Sequence, residues 1–156
     1  MVTKMVKTFA GVRMTQRIIA LFDNDVAGLE QKRILDQLMR LPPSFRVMAL
    51  PAVPIGNNYP TIGPEGLRTM NVNGSACSIE LFLGLDALKN DSNKLRPIRW
   101  KSWNKSAQLY QGALEDKNHA TRSFLVAMKA GGDPHSLRAK FPEMDGLLKS
   151  IFHAFS

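Results

Sequence analysis

The sequence predicts an α/β fold in which a parallel sheet is flanked by helices, and three observations carry that prediction. Residues 18–22, Ile-Ile-Ala-Leu-Phe, form an apolar run too short for a lone helix and suited to a strand buried on both faces. Over residues 26–41 the apolar positions Val26, Leu29, Ile34, Leu35, Leu38 and Leu41 follow helical spacing, and Pro42 and Pro43 stop the helix. Residues 45–50, Phe-Arg-Val-Met-Ala-Leu, read as a second strand. Strand, helix, strand with short joints is the parallel crossover unit, which gathers ligand groups at the carboxyl ends of its strands.

The remaining elements follow in chain order. Val2, Met5, Val6 and Phe9 are spaced for a short amphipathic helix that Gly11 can end. Residues 51–66 are rich in proline and glycine and read as an ordered surface loop. Asn73-Gly74-Ser75 suits a turn into a helix over residues 76–84, with Ser75 as its cap and Glu80 inside it. A short strand is expected near Ile98, and then one long helix over residues 106–128, which Gly131-Gly132-Asp133-Pro134 ends. Short helices around 134–141 and 144–155 complete the chain, so residues 1–130 read as the main domain and 131–156 as a helical C-terminal extension.

Composition narrows the function. A chain of 156 residues with 44% hydrophobic and 22% charged residues has ordinary globular composition. It carries no signal-peptide core and nothing near the ~20 apolar residues of a membrane span, so a cytoplasmic protein without a membrane partner is expected. Cys77 is the only cysteine and reads as a small buried apolar residue; the histidines lack zinc-site spacing, so no zinc is expected. The formal charge is +8 and uneven: residues 1–88 carry nine basic and seven acidic side chains, residues 89–156 twelve and six. A basic surface attracts phosphate polymers or anionic membranes.

Chemistry concentrates where the first strand ends in Asp23-Asn24-Asp25. Side chains alternate along a strand, so Asp23 and Asp25 point to one side. Paired anions at the mouth of a buried strand ask for a cation, and Mg²⁺ or Mn²⁺ is satisfied by one or two carboxylates with water and substrate phosphate. The plainer alternative is a polar strand end in which Asp25 caps the following helix. In the basic stretch, Lys89, Lys94, Arg96, Arg99, Lys101 and Lys105 accompany Trp100 and Trp103. Such a surface can follow a nucleic-acid backbone and stack bases; a solvated strand with inward tryptophans is the alternative. Lys117 is a candidate for neutralising charge on a scissile phosphate, or a residue of an exposed helix face.

Residues 18–28, Ile-Ile-Ala-Leu-Phe-Asp-Asn-Asp-Val-Ala-Gly, resemble the Asp-x-Asp strand of Toprim domains, found in primases, topoisomerases and overcoming-lysogenization-defect nucleases. With Lys7-Thr8-Phe9-Ala10-Gly11, Tyr59-Pro60-Thr61-Ile62-Gly63-Pro64, Asn73-Gly74, Ser78-Ile79-Glu80-Leu81-Phe82-Leu83-Gly84 and Tyr110-Gln111-Gly112, the resemblance extends over residues 5–125 to the C-terminal Toprim region of bacterial HEPN/Toprim proteins. It implies a partial Toprim-like, Rossmannoid sheet, with Asp23, Asp25 and Glu80 as metal-binding and catalytic residues. It further implies a nuclease acting on DNA or RNA with Mg²⁺ or Mn²⁺, in defence against phage or other foreign nucleic acid. Toprim sites normally take another glutamate from an upstream strand, and residues 1–17 contain neither Glu nor Asp. An N-terminally truncated domain with an open sheet edge is therefore expected, completed by a partner or by self-association. The rival readings are a catalytically incomplete binding or docking module and, less well matched, a response-regulator-like phosphoacceptor.

Overall fold

The computed structural model describes residues 2–12, 16–38, 40–105 and 107–156. Its first half is α1 (Val2–Gly11), β1 (Ile18–Phe22), β2 (Asn24–Asp25), α2 (Val26–Leu38) and β3 (Phe45–Ala49), with β1 and β3 paired in parallel from Ile18 opposite Phe45 to Phe22 opposite Ala49. This is the expected crossover unit. Ala20 and Phe22 point to one face and form a small core with Val6, Leu35 and Phe45, while Leu21 on the other face packs against the main core. Burying a side chain the size of Phe22 contributes about 2 kcal/mol, which is why the short apolar run holds as a strand. The second helix ends at Leu38, short of the expected Leu41, and Met39 lies outside the described residues. Proline disfavours helical backbone at the residue before it, and Leu41, released from the helix, packs on the small core.

The stretch read as a loop is more ordered than its composition suggests. Pro54–Asn58 forms a 3-10 turn, and β4 (Tyr59–Gly63) and β5 (Gly66–Met70) form a hairpin around Pro64 and Glu65. Tyr59 and Thr61 alternate inward and are fully buried. Pro60 is tolerated because pairing on the other side of β4 begins only at Thr61. The helix expected over residues 76–84 is absent: β6 (Ala76–Cys77) pairs antiparallel with β2, a 3-10 turn spans Ile79–Phe82, and α3 (Leu85–Leu88) follows Gly84, whose φ is +84°. Ser75 donates to the Val72 carbonyl rather than capping a helix. Almost every residue from Ser75 to Leu83 is buried, so there is no solvent face for an amphipathic helix to present.

The short strand expected near Ile98 is β7 (Ile98–Asn104), and the first part of the expected long helix is β8 (Leu109–Leu114), antiparallel to it; Ser106 lies outside the described residues. The strand order β5-β4-β7-β8 has β4 and β7 parallel. Helix α4 (Lys117–Lys129) starts only after Asp116, whose side chain accepts from the His119 N–H at 3.2 Å. Gly112 is needed inside β8, because a Cβ there would lie 2.7 Å from both Ile98 Cγ2 and Trp100 Cε3. The chain closes with α5 (Pro134–Lys140), capped by Asp133, and α6 (Pro142–Phe152). The C-terminal helices pack on the rest of the chain: Leu147 sits in the main core, Phe141 packs edge-on against Phe124, and Arg46 of β3 donates to the Ala154 carbonyl.

Asn73 ties the segment after β5 to the 3-10 turn before β4. Its side chain accepts from the Val53 N–H at 3.0 Å and donates to the Val53 carbonyl and Asn57 Oδ1. It packs so closely on Gly56 that a Cβ there would meet its Oδ1 at 2.7 Å. Asn73→Ala leaves these partners unpaired and is expected to cost about 2 kcal/mol. The measurement is urea unfolding, with a lower midpoint and an unchanged slope.

Candidate functional site

Three chain segments meet at the carboxyl end of β1. Asp23 leaves the strand on the face of Leu21, toward the main core. The β2–β6 pairing lays residues 74–77 beside Asn24 and Asp25, with the Gly74 N–H donating to the Asn24 carbonyl. The following 3-10 turn presents Glu80 and the Ile79 N–H, which bonds the Asp23 carboxylate. From the third segment, the first residue of α4 contributes Lys117, whose Nζ lies 3.1 Å from Glu80 Oε2 and 3.4 Å from Ser78 Oγ. Asp23 therefore feels the charges of Asp25, Glu80 and Lys117, the last of them 94 residues further along the chain.

Each member has its own environment. Asp25 does cap α2, as the plainer reading required, accepting from the Gly28 N–H at 2.6 Å through Oδ1. Capping and metal binding are compatible, since Oδ2 is not part of that bond. Burial, then the Asp25 carboxylate, push the Asp23 carboxyl above its ordinary range; Glu80 adds to this, and Lys117 and the Ile79 N–H oppose it. Burial also works against ionising Glu80, yet the Ser78 hydroxyl and Lys117 together hold its carboxyl below the ordinary range. Ser78 donates to the same Glu80 Oε2 that Lys117 approaches. Cys77 is fully buried, and burial with Asp23 and Asp25 pushes its thiol up to about 12, so it is an unreactive filler.

Asp23 therefore sets a pH dependence with a definite sign. A carboxyl whose pKa is raised by folding contributes stability below its unfolded value of about 4 and loses that contribution as pH rises through its folded value. In metal-free protein Asp23→Asn is accordingly expected to raise the melting temperature, with the gain growing as pH climbs toward neutrality. Thermal unfolding in EDTA across that range checks this; a gain independent of pH would mean that the charge of Asp23 is not what burdens the fold.

Among the described residues no three His, Cys, Asp or Glu side chains stand close enough for a ready-made cation cage. Glu80 is turned to Lys117 and Ser78, which leaves Asp23 and Asp25 as the oxygen donors. Two carboxylates suffice for Mg²⁺, which keeps several waters and takes substrate phosphate as a further ligand. The donor set therefore fits a hard divalent cation. Ser78 and Gly28 lie inside the motifs that carry the resemblance but receive no site role from sequence, although the Ser-x-Glu spacing was a signal for the first. Gly28 packs so tightly that a Cβ would overlap the Asp23 carbonyl oxygen.

The basic stretch is more divided. Arg96, only 14% exposed, pairs with Asp116 at 3.4 Å, Arg99 pairs with Glu115 at 2.7 Å, and Lys89 pairs with Asp86. Lys94, Lys101 and Lys105 are exposed, with no ion pair among the described residues. Trp100 is half-buried and Trp103 is 49% exposed, its ring 4.8 Å from Tyr110 edge to face. The tryptophans neither both turn inward nor stand free. Among the described residues no helix is long and apolar enough to cross a membrane. No known protein family, no curated protein and no solved structure matches the chain.

Proposed function

We propose that the chain is a Toprim-like domain of a nucleic-acid-processing, nuclease-type protein using Mg²⁺ or Mn²⁺ at Asp23 and Asp25. The observation that supports this most directly is the convergence of Asp23, Asp25, Glu80 and Lys117 at the end of a parallel strand. A divalent ion there would polarise a phosphodiester and supply the charge that activates water. Asp25 holds its carboxylate rigidly through the Gly28 N–H, and Asp23 is oriented by the Ile79 N–H. Lys117 is 40% exposed and can leave Glu80 to meet the scissile phosphate, freeing Glu80 to accept a proton or turn to the ion. Lys94, Lys101 and Lys105 add long-range attraction for DNA or RNA. A role in defence against phage or foreign nucleic acid follows by analogy with HEPN/Toprim proteins.

A second reading, a catalytically incomplete module that docks on a partner chain, has one observation in its favour. Among the described residues β1 has β3 as its sheet partner along one edge, and its other edge carries no strand, which is an invitation to strand addition. The deciding experiment incubates the chain with plasmid and single-stranded substrates in Mg²⁺ or Mn²⁺, beside an Asp23→Ala/Asp25→Ala protein. Cleavage by the parent alone upholds the nuclease reading. Cleavage by neither sinks it for the isolated chain and leaves the docking module.

A further inference from the structure

Three consecutive charged residues, Glu115, Asp116 and Lys117, carry the chain from β8 into α4, and each is paired with a residue of another segment. Arg99 holds Glu115 at 2.7 Å, Arg96 faces Asp116 at 3.4 Å, and Lys117 meets Glu80 at 3.1 Å. Such sorting is not the default. A lysine ammonium is a compact charge on a flexible four-carbon stem, and it turns to whichever carboxylate is free beside it. Two carboxylates immediately precede Lys117 in the chain, yet its partner is Glu80, 37 residues away.

Arg96 is built into its place. Its N–H donates to the Leu88 carbonyl at 2.8 Å, and the carbonyl of the next residue, Pro97, accepts from the Glu115 N–H at 3.0 Å. Its side chain is 14% exposed, and its Nε is buried with no hydrogen-bond partner among the described residues. A guanidinium that gives up its hydration for one long ion pair and leaves an N–H unpaired is a poor stabiliser of a fold. Asp116 is equally constrained. It sits in left-handed backbone, with φ +52° and ψ +55°, and its Oδ1 caps α4 by accepting from the His119 N–H. Oδ2 is the oxygen that faces Arg96. With that oxygen neutralised, the carboxylate left for Lys117 is Glu80.

We propose that Arg96 is a positioning residue for the acidic cluster: by occupying Asp116 it keeps Lys117 on Glu80, and without it Asp116 draws Lys117 away. Arg96 acts here through Asp116 and Lys117 and touches no substrate. The Arg99–Glu115 pair does not share this role to the same degree, because its side chains are 53% and 42% exposed and water screens a freed Glu115. The consequence for cleavage rests on the nuclease reading above; the consequence for the partner of Lys117 does not.

The test is acetylation of the full chain in EDTA by a limiting amine-reactive acetyl ester at fixed pH. Peptide mass mapping reads the rate at Lys117 against that at the exposed Lys101. Glu80→Gln is expected to raise the relative rate at Lys117 about threefold, the protection lost with an ion pair. Arg96→Met is expected to raise it equally, and the two changes together no further. Adding Asp116→Asn to Arg96→Met removes the competing carboxylate while its side-chain oxygen still caps α4, and is expected to restore the protection. A salt bridge that only stabilised the fold would not be rescued by removing its second partner. Arg96→Gln, polar but uncharged, must behave as Arg96→Met does, and circular dichroism confirms that each variant folds. In Mg²⁺, Arg96→Met is expected to lower kcat for cleavage about tenfold with KM unchanged, and Asp116→Asn to recover it. A rate at Lys117 that Glu80→Gln or Arg96→Met leaves unchanged, or that Asp116→Asn does not restore, would overturn the role of Arg96. A parent chain that cleaves nothing while Lys117 follows this pattern would sink the nuclease reading and leave that role standing; cleavage with Lys117 indifferent to Arg96 would do the reverse.

Discussion

On the proposed nuclease function, Asp23→Asn/Asp25→Asn protein is expected to lose Mg²⁺-dependent cleavage by about a thousandfold, the equivalent of several kcal/mol of the transition-state stabilisation that a bound cation would supply. The substitution is isosteric, so the Ile79 N–H and Gly28 N–H keep an oxygen acceptor, and the fold should survive. It should even gain: burial and mutual repulsion burden the Asp23 carboxylate, and the amide removes both. Loss of activity with a raised melting temperature is a combination that simple misfolding cannot produce. A second readout separates binding from chemistry. Mg²⁺ should raise the melting temperature of the parent, because a ligand that binds only the folded state stabilises it, and should leave that of the variant unmoved. A variant that still gains stability from Mg²⁺ would place the ion elsewhere.

Gly28→Ala is expected to cost about 3 kcal/mol, a fall of about 8 °C in melting temperature. On an ordinary helix position alanine would stabilise, by reducing the freedom of the unfolded chain. Here the new methyl would overlap the Asp23 carbonyl oxygen and approach the Asp23 carbonyl carbon and nitrogen to 3.1 Å. Those atoms are backbone and cannot rotate away. The first turn of α2 must then move off the end of β1, taking with it the Gly28 N–H that holds Asp25. Thermal unfolding measures the cost, and cleavage by the folded protein should fall as well, since Asp23 and Asp25 lose their register. An unchanged melting temperature would mean that the close approach is relieved at no cost.

Legibility differed between the halves of the chain for a physical reason. From Ile18 to Ala49 the signals are local and unopposed: an apolar run, a 3.6-residue period and a pair of prolines. From Ala76 to Leu114 they compete. Tyr110, Gly112 and Leu114 fit a strand, yet the acidic and basic residues after them fit a helix, and a propensity average over both favours one long helix. The strand wins because β7 offers a ladder and Trp100 needs the space over Gly112. Ser75 to Leu83 likewise looks helical until nearly every side chain is buried.

What the sequence by itself determined is the crossover unit and the location of its acidic pair, because periodicity and strand alternation are properties of neighbouring residues; Glu80 enters as a candidate only through the Toprim resemblance, and Lys117 through the chemistry of its charge. What only the tertiary structure decided is their meeting. Glu80 against Lys117 spans 37 residues, and Trp100 beside Tyr110 depends on a bulge at Lys101. Such contacts arise from how separate strands are docked and registered, and the free energy that selects one docking is burial summed over the whole core, which no local window contains.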